Sequence, residues 1–318
     1  MKTRHAFTLV EILTVTVIIG ILAALVTAAV AGAIRHAQRG KIGWNMNQMT
    51  IALDHYKAEI GEYPPDMFDD VALVRHVKKR WPRLNWQALR AAMPASSDAD
   101  LIRQLINGAY SVTVNNMTVN AGNTNRQIDF TDMPPGSLPL WLGGFPNADG
   151  KLSGFFADPE NPFDPSTGAF DKKVFIDWEL GDLDSNKSVR LCHVNENSAN
   201  VVPLAGNDIR NTFVPFVYFR GKISGGDDAY KDPNGDVKQV GSPMFGWCVP
   251  YAEDMNNGVI KWKNPTTYQL LHPGLDGSFG KTDRTVVRNI KSGVGIDLPD
   301  LDNITNFSDC KELQSVLP

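Results

Sequence analysis

Cysteine is scarce in this 318-residue chain: there are three, Cys192, Cys248 and Cys310, and no Cys-x-x-Cys pair. That excludes a disulfide-built scaffold and a cysteine zinc site, and at most one disulfide can form with one thiol left over. Positive charge is not in excess either. Thirty-one Lys and Arg face 35 Asp and Glu, a formal net charge of −4, so the basic footprint of a dedicated nucleic-acid binder is missing. The six histidines share no metal-ligand spacing, and no G-x-S-x-G, H-E-x-x-H, Walker or strand-borne G-x-G-x-x-G pattern occurs. The expectation is a protein that is not an enzyme. What the chain does have is ordinary for a folded body: 42% hydrophobic and 21% charged residues, with 27 glycines and 20 prolines that predict many loops.

One stretch departs sharply from these averages. Ile12 to Ile34 contains no charge and no proline, and 12 of its 23 residues are Leu, Ile or Val. At about 1.5 Å per residue a helix of that length reaches about 35 Å, enough to cross a hydrocarbon core of about 30 Å. A short basic leader with Lys2, Arg4 and His5 precedes it, and small residues near Ala28–Ala33 would suit cleavage of an ordinary secretory signal. Glu11 argues for a different role. A carboxylate at the mouth of an apolar helix is unfavourable, by about 2.5–3.5 kcal/mol at the bilayer centre and less near the interface, and such residues are functional by default. Charge alone does not orient the span, because Arg35, Arg39 and Lys41 follow it.

The run Ala6-Phe7-Thr8-Leu9-Val10-Glu11-Ile12-Leu13 resembles the processing and methylation motif of type IV prepilins and type II secretion pseudopilins. The resemblance implies cleavage by prepilin peptidase between Ala6 and Phe7, N-methylation of Phe7, and pairing of Glu11 with the Phe7 amine of a neighbouring subunit during assembly. It also places the leader on the cytoplasmic side. Two departures are visible: Ala6 stands where the family usually has Gly, and Ala28 where many pilins have a helix-kinking proline.

Beyond the span, Ile42, Met46, Met49, Leu53, Tyr56 and Ile60 recur at steps of four and three, which predicts one buried stripe of a continuing helix. Gly61 and Pro64-Pro65 predict its end, and Glu62-Tyr63-Pro64-Pro65 resembles the turn that closes the long helix of pseudopilins. Residues 66–110 read as helical with a break at Pro82, and the cations Arg75, Lys78, Lys79, Arg80, Arg83 and Arg90 read as a solvated face. Residues 111–170 read as a loop-dominated insertion around the apolar island Leu138–Gly144. Strands are expected at Lys173–Trp178, Phe213–Arg220, Phe245–Tyr251, Tyr268–Leu271 and Thr285–Ile290. The fold expected is α+β: an antiparallel sheet packed on a long N-terminal helix. Several blocks, LWLGGFP and LLHPGLDGSFG among them, resemble long prepilin-like proteins of planctomycete-type bacteria.

The segment Tyr268–Gly277 resembles a late pseudopilin loop that, with downstream aspartates, binds calcium. The resemblance makes Asp276, Asp283, Asp297, Asp300 and Asp302 candidate calcium ligands, with His272 standing where the family has Ser. Asp182-x-Asp184-x-Asn186 and Asp232-x-Asn234-x-Asp236 fail as EF-hands, lacking the central Gly and the final Glu, and read as turns.

These readings divide the chain into a leader (1–6), a transmembrane helix (7–34), its soluble continuation (35–60) and a pilin-like head (61–318). The resemblance implies a subunit of a type IV pilus or type II secretion pseudopilus, single-pass in the inner membrane with its head in the periplasm. Its partners would be prepilin peptidase, other pilin or pseudopilin subunits and an inner-membrane assembly platform, with nucleic acid not expected. The alternative function is a membrane-anchored extracytoplasmic protein that binds glycan, DNA or secreted cargo.

Overall fold

The computed structural model describes residues 9–93, 95–115, 137–147, 151–176, 193–194, 201–202, 206–209, 212–242, 246–280 and 287–318. The chain divides into two compact units, residues 1–41 and 42–318. Helix α1 spans Leu9–Ile60 and runs from the first into the second. In the first unit its large apolar side chains, from Leu9 to Ile34, are exposed. The hydroxyls of Thr14, Thr16 and Thr27 fold back onto carbonyls three or four residues earlier, which keeps polar groups satisfied on an otherwise apolar helix.

In the second unit α1 becomes a core element. Ile42, Met46, Met49, Leu53 and Tyr56 are each at most 1% exposed, the predicted stripe, and Ile60 packs partly buried beside them. Gly43 lies on this buried side: a Cβ there would stand 2.7 Å from the carbonyl oxygen of Cys310, so the C-terminal loop can lie on the helix only over glycine. The helix stops at Gly61, whose φ of +86° an L side chain disfavours and whose N–H returns to the Lys57 carbonyl.

Three helices follow: α2 (Asp70–Arg80), α3 (Trp86–Ala92) and α4 (Asp98–Asn115). Asp69 caps α2 by accepting from the N–H groups of Val71 and Ala72. Asp69→Ala should therefore lower stability by about 1 kcal/mol. In a thermal melt of the detergent-solubilised protein this appears as a drop of about 2–4 °C. Arg75, Lys78, Lys79, Arg83 and Arg90 are exposed as expected. Arg80 differs: half-buried, it lays its guanidinium 4.4 Å from the Phe155 ring centroid.

The apolar island is not a loop. Residues Ser137–Gly143 form helix α5, buried along its whole length. Pro139 is tolerated because the first turn of a helix needs no donor from its N–H groups. Trp141 of α5 stands in an aromatic cluster with Trp81, Phe145, Phe155 and Phe163.

Among the described residues the strands are β1 (His193–Val194), β2 (Val201–Val202), β3 (Gly206–Ile209), β4 (Thr212–Pro215), β5 (Val217–Arg220), β6 (Val240–Ser242) and β7 (Gly246–Cys248). They continue with β8 (Tyr251–Asn256), β9 (Val259–Trp262), β10 (Tyr268–His272), β11 (Arg288–Asn289), β12 (Ile304–Thr305) and β13 (Lys311–Glu312). The principal sheet is antiparallel, in the order β13-β12-β10-β5. A second, three-stranded sheet, β11-β8-β9, contains a parallel pair between β11 and β8, an exception to the antiparallel expectation. The class is α+β, a long N-terminal helix followed by an antiparallel sheet head.

Individual strands differ from the sequence reading. The run Phe213–Arg220 breaks at Phe216 into β4 and β5, and Phe245–Tyr251 divides around Val249-Pro250 because a proline cannot donate to a ladder. Lys173–Ile176 is not a strand, and the rest of that run lies outside the described residues, as do Cys192 and Asp182–Asn186. Cys248 and Cys310 are free thiols. Asp232 closes a turn, its Oδ1 accepting from the N–H groups of Asn234 and Asp236.

Candidate functional site

Three places carry the residues of functional interest. The first is the start of α1. Ala6 and Phe7 lie outside the described residues. Glu11 sits in the first turn of α1 among exposed Leu9, Val10, Ile12 and Leu13. The amides of a helix's first turn have no carbonyl partner within the helix, and its dipole favours a carboxylate at that end. An acid at this position is thus locally stabilised at the start of a largely apolar helix, with Thr14 one turn on returning its hydroxyl to the Val10 and Glu11 carbonyls.

The second place is where the candidate calcium ligands fall. Asp283 lies outside the described residues. Asp300 is fully buried. Its Oδ1 accepts from the Tyr251 hydroxyl at 3.1 Å and from Asn303 Nδ2 at 3.0 Å, and its Oδ2 accepts from the Asp297 amide at 3.0 Å. Asp302 Oδ2 accepts from the amides of Leu275 and Asp276. Asp276 itself is exposed and closes a turn onto the Ser278 amide. Asp297 caps the 3-10 turn Leu298–Asp302. Asp300 and Asp302 thus both accept from hydrogen-bond donors. Among the described residues no three His, Cys, Asp or Glu side chains converge as metal ligands. His272 is buried on β10 with its ring centroid 4.6 Å from that of Phe216, and burial pushes its pKa down to about 3.

The third place is a buried polar hub that the sequence reading missed. Glu62, in the turn after α1, is 7% exposed and meets three cations or donors from distant segments. His76 Nδ1 lies 3.0 Å from its Oε1, while Arg220 Nη2 and Arg75 Nη2 donate to its Oε2 at 2.9 and 3.2 Å. The other imidazole nitrogen, Nε2, is 2.6 Å from the Tyr56 hydroxyl, which also accepts from Arg80. This assigns the proton to Nδ1, facing the carboxylate, with Nε2 accepting from tyrosine. Nearby, Lys238 Nζ donates to Asp66 Oδ2 at 2.7 Å and Arg220 N donates to the same oxygen.

Burial dominates the titration of this hub. It pushes His76 down to about 4, partly offset by Glu62, and pushes Tyr56 up to about 12. Burial alone would raise Glu62, but the hydrogen bonds from His76 and Arg220 outweigh it and hold Glu62 at about 2. The only sequence sign was an acid wedged between Gly61 and the Tyr63-Pro64-Pro65 turn; its partners came from two other segments, α2 and β5.

Two open grooves, of about 600 and 590 Å³, mark the head surface. Their linings, around Glu253 and Lys261 in one and Arg75 and Asp98 in the other, contain no histidine and no cysteine.

Residues 1–27 match the family model of the prokaryotic N-terminal methylation motif, which marks the chain as type IV prepilin- or pseudopilin-like. Proteins with this motif are structural, and the motif implies processing by prepilin peptidase and assembly with other pilins. Among the described residues one helix, Leu9–Ile60, is long and apolar enough to cross a membrane, consistent with a single-pass anchor or a signal-like segment. No curated protein and no solved structure matches the chain.

Proposed function

We propose that this prepilin-like protein is a structural subunit of a type IV pilus or type II secretion pseudopilus. In this reading it is cut between Ala6 and Phe7, N-methylated on Phe7, and held single-pass in the inner membrane with its head in the periplasm. The observation that carries the proposal is the methylation motif leading directly into an apolar helix whose far end is built into a folded head. Such a helix gives one chain both a store in the bilayer and an assembly surface. Glu11 would neutralise the Phe7 amine of an adjacent subunit, because two charges each unfavourable in hydrocarbon cancel when paired.

The test is the mass of the N-terminal peptide of protein purified from its native membrane. A start at N-methyl-Phe7 is expected; an intact Met1, or a start near residue 30, would sink the reading. A second measurement addresses Glu11. Glu11→Ala should leave membrane extraction by detergent unchanged and remove most of the protein from sheared filaments. Undiminished incorporation of that variant would remove Glu11 from the assembly step.

A further inference from the structure

The carboxylate of Asp300 is 0% exposed and the guanidinium-bearing Arg288 is 1% exposed, so each is a charge in need of a partner. We infer that Arg288 is the built-in cation of this site, and that the 274–280 loop and the 297–303 turn are held together without a divalent ion.

Arg288 lies on β11, directly opposite Tyr251 of β8 in the parallel register. Its Nε is 3.2 Å from Asp300 Oδ1, an ion-pair separation without the alignment of a hydrogen bond. The directed bonds go elsewhere. Nη2 donates to the carbonyl of Trp247 at 2.6 Å, in β7, and to the carbonyl of Phe279, in the late loop. One planar cation therefore joins a strand, a loop and a carboxylate, the same combination of carbonyl and carboxylate oxygens that a bound cation would gather.

The remaining contacts leave little for a metal. Calcium takes six to eight oxygens at about 2.3–2.6 Å. Here Asp300 already accepts from a hydroxyl, a side-chain amide and a backbone amide, and Asp302 from two backbone amides. Donors at these positions would face an added cation with their positive ends. The loop also packs closely: a Cβ at Gly280 would stand 2.6 Å from Asp300 Oδ2, and one at Gly274 would collide with the backbone of Asp302.

The experiment uses the full chain in detergent micelles. The thermal midpoint should be the same in millimolar calcium and in EGTA, and calorimetric titration with calcium chloride should give no saturable heat. A midpoint that rises with calcium, or a saturable site near one per chain, overturns the inference. Arg288→Met should lower the midpoint by about 10 °C, because it leaves Asp300 buried and uncompensated. Should that variant not fold, Arg288→Met with Asp300→Asn removes both charges and should recover at least half of the loss. Failure of the double variant to exceed the single one would also overturn the pairing.

Discussion

Glu62→Ala should destabilise the head by about 3–5 kcal/mol, more than most single substitutions, because it strands the buried guanidinium of Arg220 instead of merely deleting a contact. Arg220 is itself 6% exposed and loses its carboxylate partner; His76, fully buried, loses the acceptor that fixes its tautomer. Part of the loss is geometric. The hub ties the end of α1 to α2 through His76 and to β5 through Arg220, so its removal loosens three elements together. Urea unfolding of the detergent-solubilised protein, followed by tryptophan fluorescence, should show the lowered midpoint. Glu62→Gln should fall in between, since the amide oxygen still accepts one hydrogen bond while the charge is gone. A Glu62→Ala protein as stable as the parent would mean that Arg220 and His76 find other partners or water.

Acidification should weaken the head well before ordinary carboxylates titrate. In the unfolded chain a histidine takes up a proton near 6.5, whereas folded His76 waits until about 4 and His272 until about 3. Between those values the unfolded state binds more protons, so stability is full above about pH 6.5 and falls as pH drops toward 4. Each histidine contributes a slope of up to about 1.4 kcal/mol per pH unit across its window. Glu62 adds a further loss in the same direction below its unfolded value of 4.5, down to about 2. The thermal midpoint measured from pH 7.5 to 4.5 should decline continuously, and His272→Phe should make the decline shallower. A flat profile over that interval would mean that neither imidazole is held neutral in the folded protein.

Local and periodic features were readable from the sequence. The buried stripe Ile42–Tyr56 follows from helical periodicity, the helix stop from Gly61 and the two prolines, and the N-terminal segment from a motif whose residues are contiguous. What could not be read depends on pairing between segments. Leu138–Gly143 contains a proline and lies within a region rich in Asn, Gly and Pro, so composition points to a loop, while burial against Trp81 and Phe155 makes it a helix. β9, with Val259 exposed and Ile260 buried, was overlooked because the alternation covers only four residues. The hub and the Arg288–Asp300 pair are assembled from residues that have no spacing relation to one another. Asp300 and Asp302 were legible as important carboxylates, whereas the guanidinium that neutralises Asp300 was not.

The principal sheet also sets an order of events. Its inner strand β12 pairs with β10 on one side and β13 on the other, and the Cys310 carbonyl settles on Gly43 of α1. Gly43, synthesised early, meets the Cys310 segment that lies on it only when residues from the 300s arrive. Contacts so distant in sequence impose a large loop-closure entropy before they are rewarded. The head therefore cannot mature piece by piece behind the ribosome. The 42–60 part of α1 must wait for its C-terminal neighbour until nearly all of the chain has been made.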